Sequence, residues 1–181
     1  MKNIHMTLSS KSIDKAIKAL DAYQDELMQK CRTVVERLAE VGIETAQNNT
    51  LNFGSFITFT SRIEDQQRDR ITTVMLAYDT HKVKRQWLRY GEVVESEISP
   101  ILMEEFGSGF EALNPMNVPG VGQGTFPGQK HAFDEGGWWY MDLNGEWHKS
   151  TGEKPGMPMY AARVRMSLSI DRILREVFNG R

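Results

Sequence analysis

Cysteine is nearly missing: Cys31 is the only one in 181 residues. The chain can therefore form no internal disulfide and no thiolate metal cluster. Long apolar runs are missing as well, so no segment reads as a membrane span. The amino-terminal Met1-Lys2-Asn3-Ile4-His5 has no apolar core of a secretory signal. Synthesis and residence in a cytoplasm, with no membrane partner, is the expectation. Charge of one sign is equally scarce. Lys and Arg number 22 against 24 Asp and Glu, a formal net charge of −2, with both signs mixed along the chain. Without a basic block the electrostatic footprint of phosphate-backbone binding is absent, and no sequence-specific nucleic-acid partner is expected.

Sequence signatures of catalysis are missing too. There is no HExxH pair to place two metal ligands on one helical face, no CxxC, and no Gly-x-Ser-x-Gly elbow. Gly120-Val121-Gly122-Gln123-Gly124 is flanked by Pro119 and by Thr125-Phe126-Pro127. A phosphate-binding turn needs a Gly-Lys-Ser/Thr ending, or a strand before and a helix after, so this is loop chemistry. His131, Asp134 and His148 read as surface residues rather than metal ligands. Glu104 and Glu105, beside Phe106, read as an exposed edge rather than a catalytic dyad. Cys31 falls on an apolar helical stripe and reads as a small buried hydrophobe, not a reactive thiol. The expectation is no enzyme, no catalytic residue, no cofactor and no metal.

What is present suits one globular domain. A 40% hydrophobic and 25% charged composition supports a core, and 181 residues are too few for two comfortable domains. Residues 1–50 read as mainly helical, after a short β-like stretch from Lys2 to Leu8. Ser9, Ser10 and Ser12 offer capping oxygens, and Asp14 complements the helix dipole. Ile13, Ala16, Ile17, Leu20, Tyr23, Leu27, Cys31, Val34, Val35, Leu38 and Ala39 then recur at steps of three and four, as one buried stripe does. A break near Asp21–Gln24 is compatible with this pattern. Gly42 weakens the end, and Asn48-Asn49-Thr50 stops the helix.

Two runs rich in Phe, Ile, Thr and Val, 53–60 and 71–78, predict a β-hairpin whose charged tip is residues 61–70. A third β-like stretch covers 84–90. Residues 98–106 fit either a strand or a short helix begun by Pro100. Residues 107–130 hold a long loop dense in Gly and Pro, of the length that tends to be functional. Trp138, Trp139, Tyr140 and Trp147 flank Asn144-Gly145, which predicts an aromatic hairpin over 137–148 with a type I′ turn. By strand alternation Trp138 and Tyr140 share one face and Trp139 takes the other. Pro158 opens a final amphipathic helix over 158–179, closed by Asn179-Gly180. The fold class is α+β: a long N-terminal helical region and a C-terminal helix on a small antiparallel sheet, in a single domain.

Several strings carry a resemblance. They are Glu105-Phe106-Gly107-Ser108-Gly109, the Gly-rich loop, His131-Ala132-Phe133, Gly137-Trp138-Trp139-Tyr140-Met141-Asp142 and Gly145-Glu146-Trp147. Pro155-Gly156-Met157-Pro158-Met159-Tyr160-Ala161-Ala162 completes the order. Together they resemble the family of small tail-completion or head–tail connector proteins, often labelled minor tail components, of tailed bacteriophages and prophages. The chain departs from the commoner pattern in a longer 79–96 segment and in the aromatic hairpin with its preceding loop. The resemblance implies a non-enzymatic virion protein at the neck or tail end of a phage or contractile bacteriocin particle. Such a protein acts as connector, tail completion or collar subunit, and its expected partners are further copies in a ring of six and neighbouring neck and tail proteins. The expected interface combines the Gly-rich loop with the start of the last helix: Phe106, Gly107, Gly109, Val121, Phe126, Trp139, Met157, Met159 and Tyr160. A second reading, from another class, is a cell-wall or carbohydrate-binding module using the Trp138-Trp139-Tyr140/Trp147 hairpin.

Overall fold

Helix-compatible residues with no proline and one glycine, Gly42, run for 39 residues and form the longest element, α1 (Ser10–Asn48). The computed structural model describes residues 9–67, 69–109 and 136–180. The Lys2–Leu8 stretch, most of the 107–130 loop, His131 and Asp134 lie outside the described residues. Helix α1 is unbroken across Asp21–Gln24, where the sequence is compatible with a break. It stops where side chains take the last carbonyls: Asn49 Nδ2 donates to Thr45 O at 2.8 Å and Thr50 Oγ1 to Ala46 O at 2.9 Å.

A 3₁₀ turn (Gly54–Phe56) leads into β1 (Ile57–Gln66), which pairs antiparallel with β2 (Ile71–Asp79). The ladder runs from Ile57↔Asp79 to Gln66↔Ile71 with a bulge between Ile63 and Asp65. The expected charged tip is thus mostly strand. Arg62 and Glu64 are exposed while Ser61 and Ile63 are half-buried, so the polar residues fit a ribbon with one wet face. Only the end of the hairpin turns, held by Gln67 N donating to Arg70 O at 2.7 Å and by the Arg70–Asp65 ion pair.

Strands β3 (Val83–Arg89) and β4 (Glu92–Ile98) form a second hairpin. Its turn is Tyr90-Gly91, with φ of +54° and +83°, so the two successive positive φ values of a type I′ turn occur here. Glu92, Glu95 and Glu97 are poor strand formers, and no strand is expected at 92–97 from the sequence. Pairing overrides that preference: Lys84 Nζ and Gln86 Nε2 both donate to the Glu95 carboxylate, at 2.9 and 2.7 Å. Helix α2 (Pro100–Phe106) then resolves the ambiguity at 98–106, with Pro100 in its first turn and Ser99 Oγ accepting from Leu102 N.

The remaining elements are β5 (Ser108–Gly109), β6 (Trp138–Met141), β7 (Trp147–Ser150), β8 (Gly152–Glu153) and α3 (Pro158–Asn179). All pairing among the described residues is antiparallel: β1–β2, a four-stranded sheet in the order β4-β3-β6-β7, and β5–β8. The fold is α+β. The aromatic hairpin forms where the sequence places it, but its turn differs. Gly145 has φ +87° while Asn144 keeps negative φ; Gly145 N donates to Asp142 O at 3.1 Å, and Asp142 N to Glu146 O at 2.9 Å. The Asp142 carboxylate takes the Asn144 and Glu146 N–H groups and so selects this longer loop over type I′.

The main core gathers Ala46, Phe53, Ile57, Phe59, Met103 and Ala162, with Ile43, Met75, Ala77 and Met159 against it. It lies where the end of α1, the start of the first hairpin, α2 and the start of α3 meet. Helix α3 lies antiparallel along the C-terminal half of α1. Ala162 joins Ala46 in the core, Arg37 pairs with Glu176 at 3.3 Å, and Lys30 sits over the Phe178 ring at 5.9 Å. The end of α3 therefore falls near Lys30, and about 20 residues of α1, roughly 30 Å of helix, extend further. This corrects the single buried stripe. Ala16, Val34 and Ala39 are buried, but Ile13, Ile17, Leu20, Tyr23 and Leu27 are exposed. Cys31 is half-buried. Period alone fixes which residues share a face, not whether another element covers it.

Candidate functional site

Glu104 corrects the exposed-edge reading of the acidic pair. It is 2% exposed, and its carboxylate accepts three consecutive main-chain N–H groups from the segment after α1. Leu51 N donates to Oε2 at 2.9 Å; Asn52 N and Phe53 N donate to Oε1, the latter at 2.7 Å. The Glu104 carbonyl accepts in addition from Gly156 N at 2.8 Å and Met157 N at 3.0 Å. One residue thus fastens the chain leaving α1 to the chain entering α3. Both of its oxygens are taken, so it is a structural acceptor and offers no free acid or base.

Glu105 completes the joint. Met157 precedes α3 as its cap residue but offers no side-chain acceptor. Instead Glu105 Oε2 accepts from Met159 N at 2.8 Å and Oε1 from Tyr160 N at 3.0 Å, which satisfies two orphan donors and places a negative charge at the positive end of the helix. Two glycines permit the close approach. A Cβ on Gly156 would strike the Asn49 carbonyl oxygen, and Gly107, at φ +71°, is closed over by Pro155 and the Glu153 carbonyl. Ser108 Oγ accepts from Glu153 N at 3.0 Å beside them. The short motifs 104–109 and 155–160, far apart in sequence, are one physical object.

Several expected interface residues are consequently occupied within the chain. Gly107 is buried in the joint, Gly109 pairs with Gly152, and Met159 packs against the core. Phe106 and Met157 are half-buried, Met157 in the left-handed region at φ +53°. Val121 and Phe126 lie outside the described residues. Trp139 and Tyr160 are exposed. These two mark two separate surfaces.

The first surface is helical. On α1, Ile13, Ile17, Leu20 and Leu27 project, Leu20 being 55% exposed. With Gln24 they are spaced four, three, four and three apart, and Cys31, Val34 and Leu38 continue the alternation. That is a period of 3.5, the seam of a helix that meets another helix. On α3, Tyr160, Val164 and Leu168 form an i, i+4 ridge in which Leu168 is 73% exposed. Tyr160, Arg163, Val164, Ser167 and Leu168 line a shallow apolar depression.

The second surface is the outer face of the four-stranded sheet. The pairing Met141↔Trp147 puts Trp139, Met141 and Trp147 on one face, and Leu88↔Met141 with Leu88↔Val93 continues it. Trp139 and Trp147 are 62% and 61% exposed. The opposite face carries Trp138 half-buried, with Tyr140 stacked on His148 at 5.4 Å. Asp142, Glu146 and His148 bring one ligand atom each within 4.8 Å of one another at the hairpin end. Asp142 Oδ1, however, accepts two loop N–H groups, and Oδ2 lies 3.1 Å from His148 Nε2. These bonds, led by the one from Glu146 N, hold the Asp142 carboxyl below the usual range. The arrangement is that of a braced turn.

No family model, curated protein or solved structure matches the chain.

Proposed function

We propose that the chain is a non-enzymatic structural subunit of a tailed phage or phage-like particle that assembles head to tail into a ring at the neck or tail end. One observation carries the reading: a single chain presents two unlike apolar surfaces, a helical one around Leu20 and Leu168 and a sheet face around Trp139 and Trp147. Closed rings larger than a dimer need heterologous contacts, in which one patch meets a different patch on the next copy. Exposed apolar patches on separate elements suit subunits that are covered only when assembled. The order of the Glu105–Gly109 and Pro155–Ala162 motifs adds the resemblance to neck proteins, from which the six-fold stoichiometry and the neighbouring neck and tail proteins come. The acidic pair Glu104 and Glu105 is engaged by main-chain donors, which fits a role without chemistry.

The test is removal of the gene from the phage or prophage that encodes it. Expected are unjoined heads and tails or tails with defective ends, restored by the gene supplied in trans. Fully infectious, fully assembled particles without the chain refute the reading. Trp139 and Trp147 on one exposed face also favour the second reading, a carbohydrate or cell-wall platform, because flat aromatic surfaces stack on sugar rings. Tryptophan fluorescence titrated with solubilised peptidoglycan fragments separates the two: saturable quenching lost in Trp139→Ala supports the platform.

A further inference from the structure

We propose that Asp142, Glu146 and His148 hold a divalent transition-metal ion of the zinc class at the end of the aromatic hairpin, where it ties β6 to β7. Such a site does not depend on the particle reading. Asp142 directly follows β6, Glu146 directly precedes β7, and His148 is the second residue of β7. The hairpin therefore brings the three side chains to one place, and one ligand atom from each lies within 4.8 Å of the other two. Among the described residues no other group of three His, Cys, Asp or Glu side chains meets in this way. Asp142 Oδ2 and His148 Nε2 are 3.1 Å apart. Two ligands each about 2.0–2.1 Å from a tetrahedral zinc ion stand about 3.3 Å from one another, so this pair already has nearly the span of one metal edge. Glu146 is exposed at the turn, and a rotation of its side chain closes the triangle.

The surroundings orient these ligands as a metal site requires. The Asn144 and Glu146 N–H groups donate to Asp142 Oδ1 at 2.9 and 2.8 Å, which fixes the carboxylate and leaves Oδ2 turned toward His148. The His148 ring is held by stacking on Tyr140, its cross-strand partner, at 5.4 Å. Groups that position a ligand through its other atoms tune affinity at such sites. Bracing of the turn needs Oδ1 alone; it gives no reason for a histidine and a second carboxylate to converge on Oδ2. A solvent-exposed ion pair between Asp142 and His148 contributes little by itself. Both side chains are partly open to solvent, so an ion has a path of entry. One imidazole nitrogen with two carboxylate oxygens suits zinc, cobalt, nickel or manganese rather than calcium or magnesium, which take oxygen ligands. On binding, His148 carries its proton on Nδ1 and offers the Nε2 lone pair, and the ion replaces the hydrogen bond between Nε2 and Oδ2. Three protein ligands leave at least one position for water.

The test uses the full-length chain, treated with a chelator and dialysed, then titrated with zinc chloride by calorimetry and with cobalt chloride by visible absorption. Saturation at one ion per chain is the expected result, with the cobalt bands of a nitrogen–oxygen site. Glu146→Gln and His148→Gln each weaken zinc binding by about tenfold or more. His81→Gln, in the connection before β3, leaves it unchanged. Glu146→Gln replaces an exposed side chain and keeps the N–H bond to Asp142, so binding lost there is not folding lost. Equal zinc affinity in the wild type and either of these two variants overturns the site. So does a wild-type chain that fails to saturate at millimolar zinc, or one whose binding His81→Gln removes.

Discussion

Glu104 connects elements that the sequence keeps more than fifty residues apart. Its carboxylate offers acceptors only, and all three partners are N–H donors, so replacement by glutamine turns an NH₂ group toward a donor and leaves a buried N–H unsatisfied. Glu104→Gln is expected to destabilise by about 2–4 kcal/mol in urea unfolding, from lost charge-assisted bonds and an unpaired buried donor. Glu105→Gln keeps an acceptor for the start of α3 and loses mainly the charge at the helix end, about 0.5–1 kcal/mol. Equal losses at the two positions would contradict the assigned roles. Gly156 belongs to the same joint; the absence of a Cβ there is what lets the Asn49 carbonyl and the Glu104 carboxylate approach.

At the level of elements, the aromatic hairpin depends on the Asp142 brace, which gives it a pH dependence of defined sign. Its folded carboxyl titrates below the ordinary Asp value of 3.8, first through the Glu146 N–H bond and then through His148 and the Asn144 N–H. The group's stabilisation is therefore present at neutral pH. It begins to fade as pH falls to the unfolded value and is lost as pH passes through the lower folded one. Amide shifts of Asn144 and Glu146 followed by NMR should move together in that acid window. An Asp142→Asn variant should show no such transition. A loop that stays unchanged to pH 2 in the wild type would remove the brace. The first hairpin makes a related point about elements: Arg62, Glu64 and Asp65 look like a tip, yet pairing with β2 keeps them in a strand to Gln66.

Across the whole molecule, the two halves of α1 differ in how much of their apolar stripe is covered. The C-terminal half of α1 holds Val34 (7% exposed), Ala39 and Ala46, whereas the half toward Ile13 buries Ala16 alone among its hydrophobics and holds the exposed stripe. Val34→Asp should therefore unfold the chain or cost more than about 3 kcal/mol, because an unpaired charge enters the core. Leu20→Asp, on the same stripe in the sequence, should leave the melting temperature within a few degrees while weakening self-association. Thermal melts of the two variants check the division directly. A Leu20→Asp chain that unfolds would mean the stripe is core after all.

The sequence by itself determined which residues form helix and strand over most of the described chain, because periodicity, caps and turn residues act locally. Pro158 opening α3, Gly180 at φ +66° closing it, and the aromatic hairpin around Gly145 were all legible for that reason. Local signals misled where a paired strand or a nearby side chain decided the outcome. Glu92–Ile98 became strand because β3 pairs with it, and the turn at Asn144 was reset by a carboxylate two residues before it. Only the tertiary structure decided that Glu104 is buried among N–H groups of 51–53, and that the stripe of α1 divides into a core half and an exposed half. Burial is a property of what else arrives at a face; α3 ends near Lys30, and nothing in the spacing of Ile13, Ile17, Leu20 and Leu27 encodes where another helix will stop.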